Sequence, residues 1–192
     1  QMIQDIAMLR LHVVLAIDRA GLVGDDGPTH HGVFDVGFLR QIPGMKVLCP
    51  ASLAEQQQML RWAVESYDGP IAIRYPRGGN RGFDGCNWKV LPDIENTGAL
   101  SCHRMGADVT LITYGTMISE VLEAAALLAQ QGIEATVVRL LTVDPLPVYN
   151  LLTLLSENEH VVVVEEVAAG CGIREQLAWQ LQHLKDGIRV DG

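Results

Sequence analysis

The sequence has little of several features that mark other classes of protein. Only 5% of the 192 residues are aromatic and 19% are charged, whereas 48% are hydrophobic. This balance excludes a disordered chain and is sufficient for a sizeable core. The apolar runs, such as Ala124–Ala129, are far shorter than the ~20 residues of a membrane-spanning helix. No basic stretch followed by an apolar run marks an export signal, so we expect a soluble, intracellular protein.

Basic residues are also scarce. The chain has 14 Lys and Arg against 23 Asp and Glu, a net charge of −9, and no segment forms a basic stripe. Duplex nucleic acid would require the opposite balance, which excludes it as the main partner. The cysteines are widely separated and form no C-x-x-C pair, which favours reduced structural thiols over a disulfide framework or a zinc site. They are Cys49, Cys86, Cys102 and Cys171.

Hydrophobic periodicity alternates between strand-like and helix-like segments. The predicted strands are 12–18, 46–49, 71–74, 109–113, 135–140 and 161–165, with another beginning at 189. The predicted helices include one that opens at a Ser52/Glu55 capping box and others over 116–131, 148–155 and 173–184. Glycine-rich residues 78–106 lose the rhythm, apart from a possible edge strand at 89–91.

This alternation predicts an α/β fold of two parallel-sheet units. The first unit spans 1–78 and the second 107–192, with a linker at 79–106. The chain opens inside a helical pattern and stops where a strand begins, so we expect a portion of a longer protein.

Two arginines follow predicted strands at the edge where open α/β sheets bind ligands. Arg19 comes after strand 12–18, and Arg77 after strand 71–74. If these strands are near neighbours, the two guanidinium groups converge on one crevice, where they could bind a phosphate or a carboxylate. The alternative, that each arginine pairs with a local carboxylate such as Asp18, fits the spacing equally well.

The loop at 24–32 carries two carboxylates and two imidazoles within seven residues, namely Asp25, Asp26, His30 and His31. A histidine here could act as a general acid or base, or could bind a substrate hydroxyl. A metal site is a weaker interpretation because the spacing matches no standard zinc pattern. A purely structural loop, with the carboxylates satisfying turn amides, also stays open.

A pair of adjacent carboxylates, Glu165 and Glu166, ends the predicted strand at 161–165. The two could form an acid/base pair. The favoured interpretation is that one faces solvent while the other holds an adjacent loop.

Taken together, these loops resemble a known family. The resemblance is carried by D-R-A-G-L-V-G-D-D-G-P-T-H-H-G at 18–32, I-P-G-M at 42–45, R-Y-P-R-G at 74–78, Y-G-T at 114–116 and V-E-E at 164–166. These segments closely resemble the 1-deoxy-D-xylulose-5-phosphate synthase family, thiamine-diphosphate-dependent transferases of the transketolase superfamily. The implied fold is a partial pyrimidine-binding domain followed by a truncated transketolase C-terminal domain.

The resemblance implies a reaction and roles for site residues. The family condenses pyruvate with glyceraldehyde 3-phosphate, releasing carbon dioxide, in the non-mevalonate pathway of isoprenoid biosynthesis, with a link to thiamine biosynthesis. Arg19 and Arg77 would bind the phosphate of the aldehyde, and Asp26 and His30 would be the catalytic residues. Thiamine diphosphate and Mg²⁺ would be cofactors of the complete enzyme. The family also implies a homodimer, located in the cytoplasm, or in the plastid of a plant or alga.

The same resemblance implies that two parts of the family's active site lie outside this sequence. They are the N-terminal domain, whose G-D-G motif binds the diphosphate and Mg²⁺, and the glutamate that activates the cofactor. We therefore assign no cofactor-binding or metal-binding residues here, and expect the chain alone to bind no cofactor tightly and to be inactive. Two alternatives remain. One is a subunit of another thiamine-diphosphate enzyme, such as a split transketolase or a 2-oxo-acid dehydrogenase β-subunit, and the other is a non-catalytic remnant that packs against a partner.

Overall fold

The computed structural model describes residues 1–79, 83, 99–155 and 160–192, and these form two sheets surrounded by helices. The first sheet comprises β1 (Val14–Ile17), β2 (Lys46–Leu48), β3 (Ile71–Arg74) and β7 (Thr142–Asp144). The second comprises β4 (Leu100–Arg104), β5 (Val109–Tyr114), β6 (Ala135–Leu140), β8 (His160–Val163) and β9 (Arg189–Asp191). The α-helices are α1 (Asp35–Leu39), α2 (Leu53–Glu65), α3 (Ile118–Gln130), α4 (Val148–Leu154) and α5 (Arg174–Leu184). A π-helical segment lies at Met2–Ala7, and 3₁₀ turns lie at Pro28–His30 and Gly115–Met117.

Both sheets are mainly parallel. The strand order is β1-β3-β2-β7 in the first and β4-β6-β5-β8-β9 in the second, and only the β2–β7 and β4–β6 pairings among the described strands are antiparallel. Every residue of β3 and β6 is buried, as expected for parallel strands covered on both faces. The predicted α/β fold class is confirmed, and the strands at 71–74 and 135–140 have their predicted bounds.

The start of α2 is fixed by the predicted capping box. The Ser52 hydroxyl accepts a hydrogen bond from the Glu55 amide at 3.2 Å, and the Glu55 carboxylate accepts one from the Ala51 amide at 2.8 Å. The Glu55 carboxylate is fully buried, and it also receives two hydrogen bonds of 2.7 Å from Arg139 on β6. This ion pair fastens α2 to the second sheet.

Two strands depart from the sequence prediction. The predicted linker at 79–106 contains β4, which pairs antiparallel with β6 at one edge of the second sheet. β7 follows β6 directly but joins the first sheet beside β2. Both strands are short or half-exposed and rich in polar residues, so they lack the hydrophobic run that identifies a buried strand. The predicted edge strand at 89–91 lies outside the described residues.

The two sheets share their largest hydrophobic core. It contains Val47 and Ala72 from the first sheet together with Val138 and Val161 from the second. The loops at the ends of the strands are therefore held against a common interior. Within the described part of the chain, no helix combines the length and apolar character needed to cross a bilayer.

Candidate active site

The two arginine-bearing loops lie side by side because β1 and β3 are hydrogen-bonded neighbours. Ile17 at the end of β1 is in register with Arg74 at the end of β3. The pairing continues past both strands, since the Tyr75 amide donates to the Ile17 carbonyl at 2.9 Å and the Ala20 amide donates to the Tyr75 carbonyl at 3.0 Å. The condition on which the convergence of the two arginines depends, that these strands be near neighbours, is thus met.

Asp26 lies between Arg19 and Arg77. Its Oδ2 accepts a hydrogen bond from Arg19 Nε at 2.9 Å, and its Oδ1 lies 3.5 Å from Arg77 Nη1. Arg19 also pairs with Asp18, and Arg77 Nη1 lies 3.4 Å from Asp25. The structure therefore brings both arginines to one point. It pairs Arg19 with the adjacent Asp18, as the alternative interpretation has it, whereas the carboxylates that face Arg77 belong to the other loop.

The site is open to solvent, and its two guanidinium groups face the carboxylates of Asp18, Asp25 and Asp26. The side chains of Arg19 and Arg77 are 38% and 48% exposed. The hydrogen bond that Arg19 donates to Asp26, together with the charges of Asp18 and Asp26, raises the pKa of Arg19, so this guanidinium group stays protonated. Ion pairs between groups as exposed as these contribute little to stability, and an incoming oxyanion can compete for both arginines.

The loop is closed at its base by tight backbone contacts. The Gly32 amide donates to the carbonyls of Arg19 and Gly21, each at 3.0 Å, and the Gly21 amide donates back to the Gly32 carbonyl at 3.0 Å. A Cβ atom on Gly32 would lie 2.3 Å from the Arg19 carbonyl oxygen, so only glycine fits there. Arg19 itself has φ +59°, a conformation that non-glycine residues hold only when their surroundings enforce it.

The two histidines of the loop have different surroundings. His31 Nδ1 accepts a hydrogen bond from the Val23 amide at 2.9 Å, which braces the loop from inside. His30 is exposed on the Pro28–His30 turn, and its Nδ1 lies 3.1 Å from Thr29 Oγ1. Among the described residues, His30 makes no hydrogen bond or ion pair with Asp26 or either arginine, so it stands apart from that cluster.

A buried arginine, Arg74, holds the base of the loop at 19–32, a role that the sequence pattern did not indicate. Arg74 Nε donates to Asp35 Oδ2 at 2.8 Å, and Arg74 Nη2 donates to the Gly32 carbonyl at 2.8 Å. Both side chains of the ion pair are nearly inaccessible to solvent. The available signal was an arginine ending the otherwise apolar strand I-A-I-R, since a buried charge requires a partner.

Glu165 and Glu166 divide their roles differently from the prediction. Glu165 accepts a hydrogen bond from the Tyr114 hydroxyl at 2.8 Å and from the Ile173 amide at 2.9 Å, so it does hold the adjacent segment that leads into α5. The expectation that the other carboxylate faces solvent is wrong. Glu166 is partly buried and lies against Gly21 at the base of the loop.

No metal-ligand set is evident where the structure describes the chain. There, no three His, Cys, Asp or Glu side chains lie close enough together to hold a metal ion. Asp25, Asp26 and the nearby histidines therefore do not form such a group, and the carboxylate of Asp26 is engaged by arginines instead.

Two family models match the chain. The transketolase pyrimidine-binding domain matches residues 1–81, and the transketolase C-terminal domain matches residues 98–189. The chain therefore belongs to the transketolase superfamily and carries these two domains in succession.

The relatives found by sequence narrow the match to one family within this superfamily. The chain is 43% identical over 189 residues to 1-deoxy-D-xylulose-5-phosphate synthase of Gloeobacter violaceus, covering 97% of this chain and 28% of that protein. It is 42% identical over 166 residues to the synthase of Chlorobium luteolum, covering 86% and 26% respectively. The resemblance found in the loop motifs is thus confirmed along nearly the whole chain, which spans less than a third of the relatives' length.

Solved structures confirm the fold. A split-gene transketolase, described as an inactive β4 tetramer, superposes with a TM-score of 0.81 and 29% identity, covering 99% of this chain and 59% of that one. A transketolase from Pichia stipitis superposes with a TM-score of 0.70 at 22% identity, covering 85% of this chain and 24% of that one. The second likeness concerns the fold alone.

Proposed function

We propose that these residues form the acceptor-binding part of a 1-deoxy-D-xylulose-5-phosphate synthase, which condenses pyruvate with glyceraldehyde 3-phosphate and releases carbon dioxide. The observation that carries this proposal is the meeting of Arg19 and Arg77 at Asp26. Two guanidinium groups at one solvent-open point suit a phosphate monoester, because each planar fork can bind oxyanions in a bidentate manner. The relatives that match most of the chain are synthases of this name.

Substrate binding would rearrange the site in a defined way. The phosphate would take over the hydrogen bond that Arg19 Nε now gives to Asp26 and the 3.5 Å contact from Arg77. The Asp26 carboxylate would then be free to accept a hydrogen bond from a hydroxyl of the acceptor. His30 is exposed on the same loop and would exchange a proton with the substrate as general acid or base.

Thiamine diphosphate, bound with Mg²⁺, would supply carbanion stabilisation in the complete enzyme. The family resemblance assigns the residues that hold this cofactor to the family's N-terminal domain and to residues upstream of the part that this sequence matches. The described residues offer no three-ligand metal cluster of their own. Because the family resemblance assigns the main cofactor-binding residues elsewhere, we propose that this chain alone binds thiamine diphosphate weakly and does not turn over.

Several large apolar side chains are exposed on the surface of this chain. Met8, Leu9 and Phe34 are 72%, 64% and 62% exposed, which is unusual for such large apolar side chains. We propose that the N-terminal domain and the second copy of a homodimer cover them in the complete protein, which would act in the cytoplasm.

Phosphate binding can be measured on this chain directly. Glycerol 3-phosphate titrated into the protein should shift the amide resonances of the loop at 19–32, and Arg19→Ala or Arg77→Ala should weaken binding at least about tenfold. Arg61→Ala is the matched control, because Arg61 is exposed on α2 and contacts Glu65 only at 3.9 Å. Binding that survives both loop substitutions would contradict the proposal.

The second candidate function is a subunit of a split transketolase. It is favoured by one observation, the superposition of the split-gene transketolase over 99% of this chain. An activity assay of the complete protein distinguishes the two functions. The synthase releases carbon dioxide from pyruvate, whereas a transketolase moves a two-carbon unit between sugars and releases no carbon dioxide. A complete protein without either activity would instead indicate the non-catalytic alternative.

A further inference from the structure

The loop that follows β8, residues 164–173, reaches from the second sheet to the base of the arginine-bearing loop. The Ala168 amide donates to the Val33 carbonyl at 2.9 Å, just after that loop ends. Arg40, at the end of α1, donates to the Gly172 carbonyl at 2.7 Å. The post-β8 loop is thus anchored to the first sheet's segments at two points besides Glu166.

Glu166 makes the contact nearest to the site. Its carboxylate occupies the space in which a Cβ atom on Gly21 would lie, because that atom would be 1.9 Å from Oε2. Gly21 is paired in both directions with Gly32, which also donates to the Arg19 carbonyl. A displacement at Gly21 is therefore transmitted to the backbone of Arg19 through two hydrogen-bonded residues.

We propose that Glu166 is a positioning residue for the phosphate-binding loop. By packing over Gly21, it holds the base of the loop so that Arg19 keeps its φ of +59° and directs its guanidinium group to the point that Arg77 also reaches. This inference rests on the proposed phosphate binding. Glu166 lies under the loop and contacts its backbone, so it acts through Arg19 and needs no contact with the substrate.

Other contacts hold the two sheets together, so the local role of Glu166 can be distinguished from a contribution to overall stability. When Glu166 is shortened, the Ala168–Val33 and Arg40–Gly172 hydrogen bonds still join the two sheets. The buried Arg139–Glu55 pair joins β6 to α2 without involving Glu166. Loss of Glu166 packing should therefore loosen the loop base locally while the rest of the chain stays folded.

The test compares Glu166→Ala with Glu166→Gln, which keeps the shape of the side chain, and with Glu123→Ala, an exposed glutamate on α3. Hydrogen exchange is followed at the Gly21 and Gly32 amides, and glycerol 3-phosphate is the binding probe. We expect Glu166→Ala to speed exchange at both amides and to weaken binding, each about fivefold or more, with the melting temperature unchanged. In Glu166→Gln and Glu123→Ala, the exchange rates and the affinity should stay within about twofold of those of the unsubstituted chain.

Unchanged exchange at Gly21 and Gly32 in Glu166→Ala would overturn the proposal, as would a general loss of protection throughout the chain. Failure of Glu166→Gln to restore slow exchange would also overturn it. If the unsubstituted chain does not bind glycerol 3-phosphate, the proposed function fails, and the exchange measurement still decides whether Glu166 holds the loop.

Discussion

Arg139 and Glu55 are 84 residues apart in sequence, yet they form two parallel hydrogen bonds of 2.7 Å with no exposure of either side chain. Glu55 belongs to the first turn of α2 and Arg139 to the interior of the second sheet. The bidentate geometry satisfies both charges where water cannot reach them.

Removing one partner of this pair should be costly. Arg139→Met leaves the Glu55 carboxylate buried without its counter-ion and should lower the free energy of unfolding by about 3–5 kcal/mol. Urea denaturation measures this change. Arg61→Met provides the matched control, because the exposed Arg61–Glu65 pair should contribute about 0.5 kcal/mol or less. A loss below about 1 kcal/mol for Arg139→Met would show that the pair is not an important contact between the two sheets.

Gly32→Ala should disrupt the loop at 19–32, which we propose binds phosphate. The new Cβ atom would lie 2.3 Å from the Arg19 carbonyl oxygen, so the backbone must move, at a cost of about 1–3 kcal/mol. Calorimetric titration with glycerol 3-phosphate should show loss of binding. Gly24→Ala, in the same loop but with open space around it, should bind like the unsubstituted chain. Equal affinities for the two variants would contradict this account of the loop base.

Asp144 on β7 should make stability depend on pH. Burial raises its pKa to about 6, although Arg40 and Lys46 oppose the shift. Because the folded state holds this proton more tightly than the unfolded state, the protein loses stability as pH rises from about 4 to above 6. Asp144→Asn should remove this loss, stabilising the chain by about 1–2 kcal/mol at about pH 8, allowing for partial solvent screening, with little effect near pH 4.

Urea denaturation of both proteins across this pH range isolates the contribution of Asp144, since all other titrating groups are common to the two. A stability difference that stays constant with pH would show that the Asp144 carboxyl titrates normally in the folded protein.

Tyr114→Phe tests the contact that supports the post-β8 loop. Burial, together with the charge of Glu165, raises the pKa of Tyr114 well above its usual range, so its hydroxyl is protonated at neutral pH and donates to Glu165. Loss of this hydrogen bond to a charged acceptor should cost about 1.5–3 kcal/mol in thermal or urea unfolding. Tyr149→Phe, at a side chain that is 72% exposed, should be neutral.

The sequence predicted those features that depend on nearby residues. The continuous apolar runs identified β3 and β6, and Ser52 with Glu55 identified the start of α2. The convergence of Arg19 and Arg77 was one of two interpretations that the sequence left open, and it rested on the rule that parallel strands end at one edge of a sheet.

Features that depend on distant residues were missed. No local pattern assigns Arg139 to Glu55, or Glu166 to the space above Gly21, because each partner is chosen by the packing of the two sheets. β7 was missed because Thr142–Asp144 has a single apolar residue and so lacks the hydrophobic run that identifies a buried strand.

The position of β7 also constrains the order in which the molecule can be assembled. Val47 of β2 pairs with Asp144, so a nascent chain that has emerged only as far as residue 80 lacks the antiparallel partner of β2. Completion of the first sheet must wait for the second half of the chain to be synthesised. A break between the two halves would therefore divide a sheet, and the two pieces would have to find each other before β2 and β7 could pair.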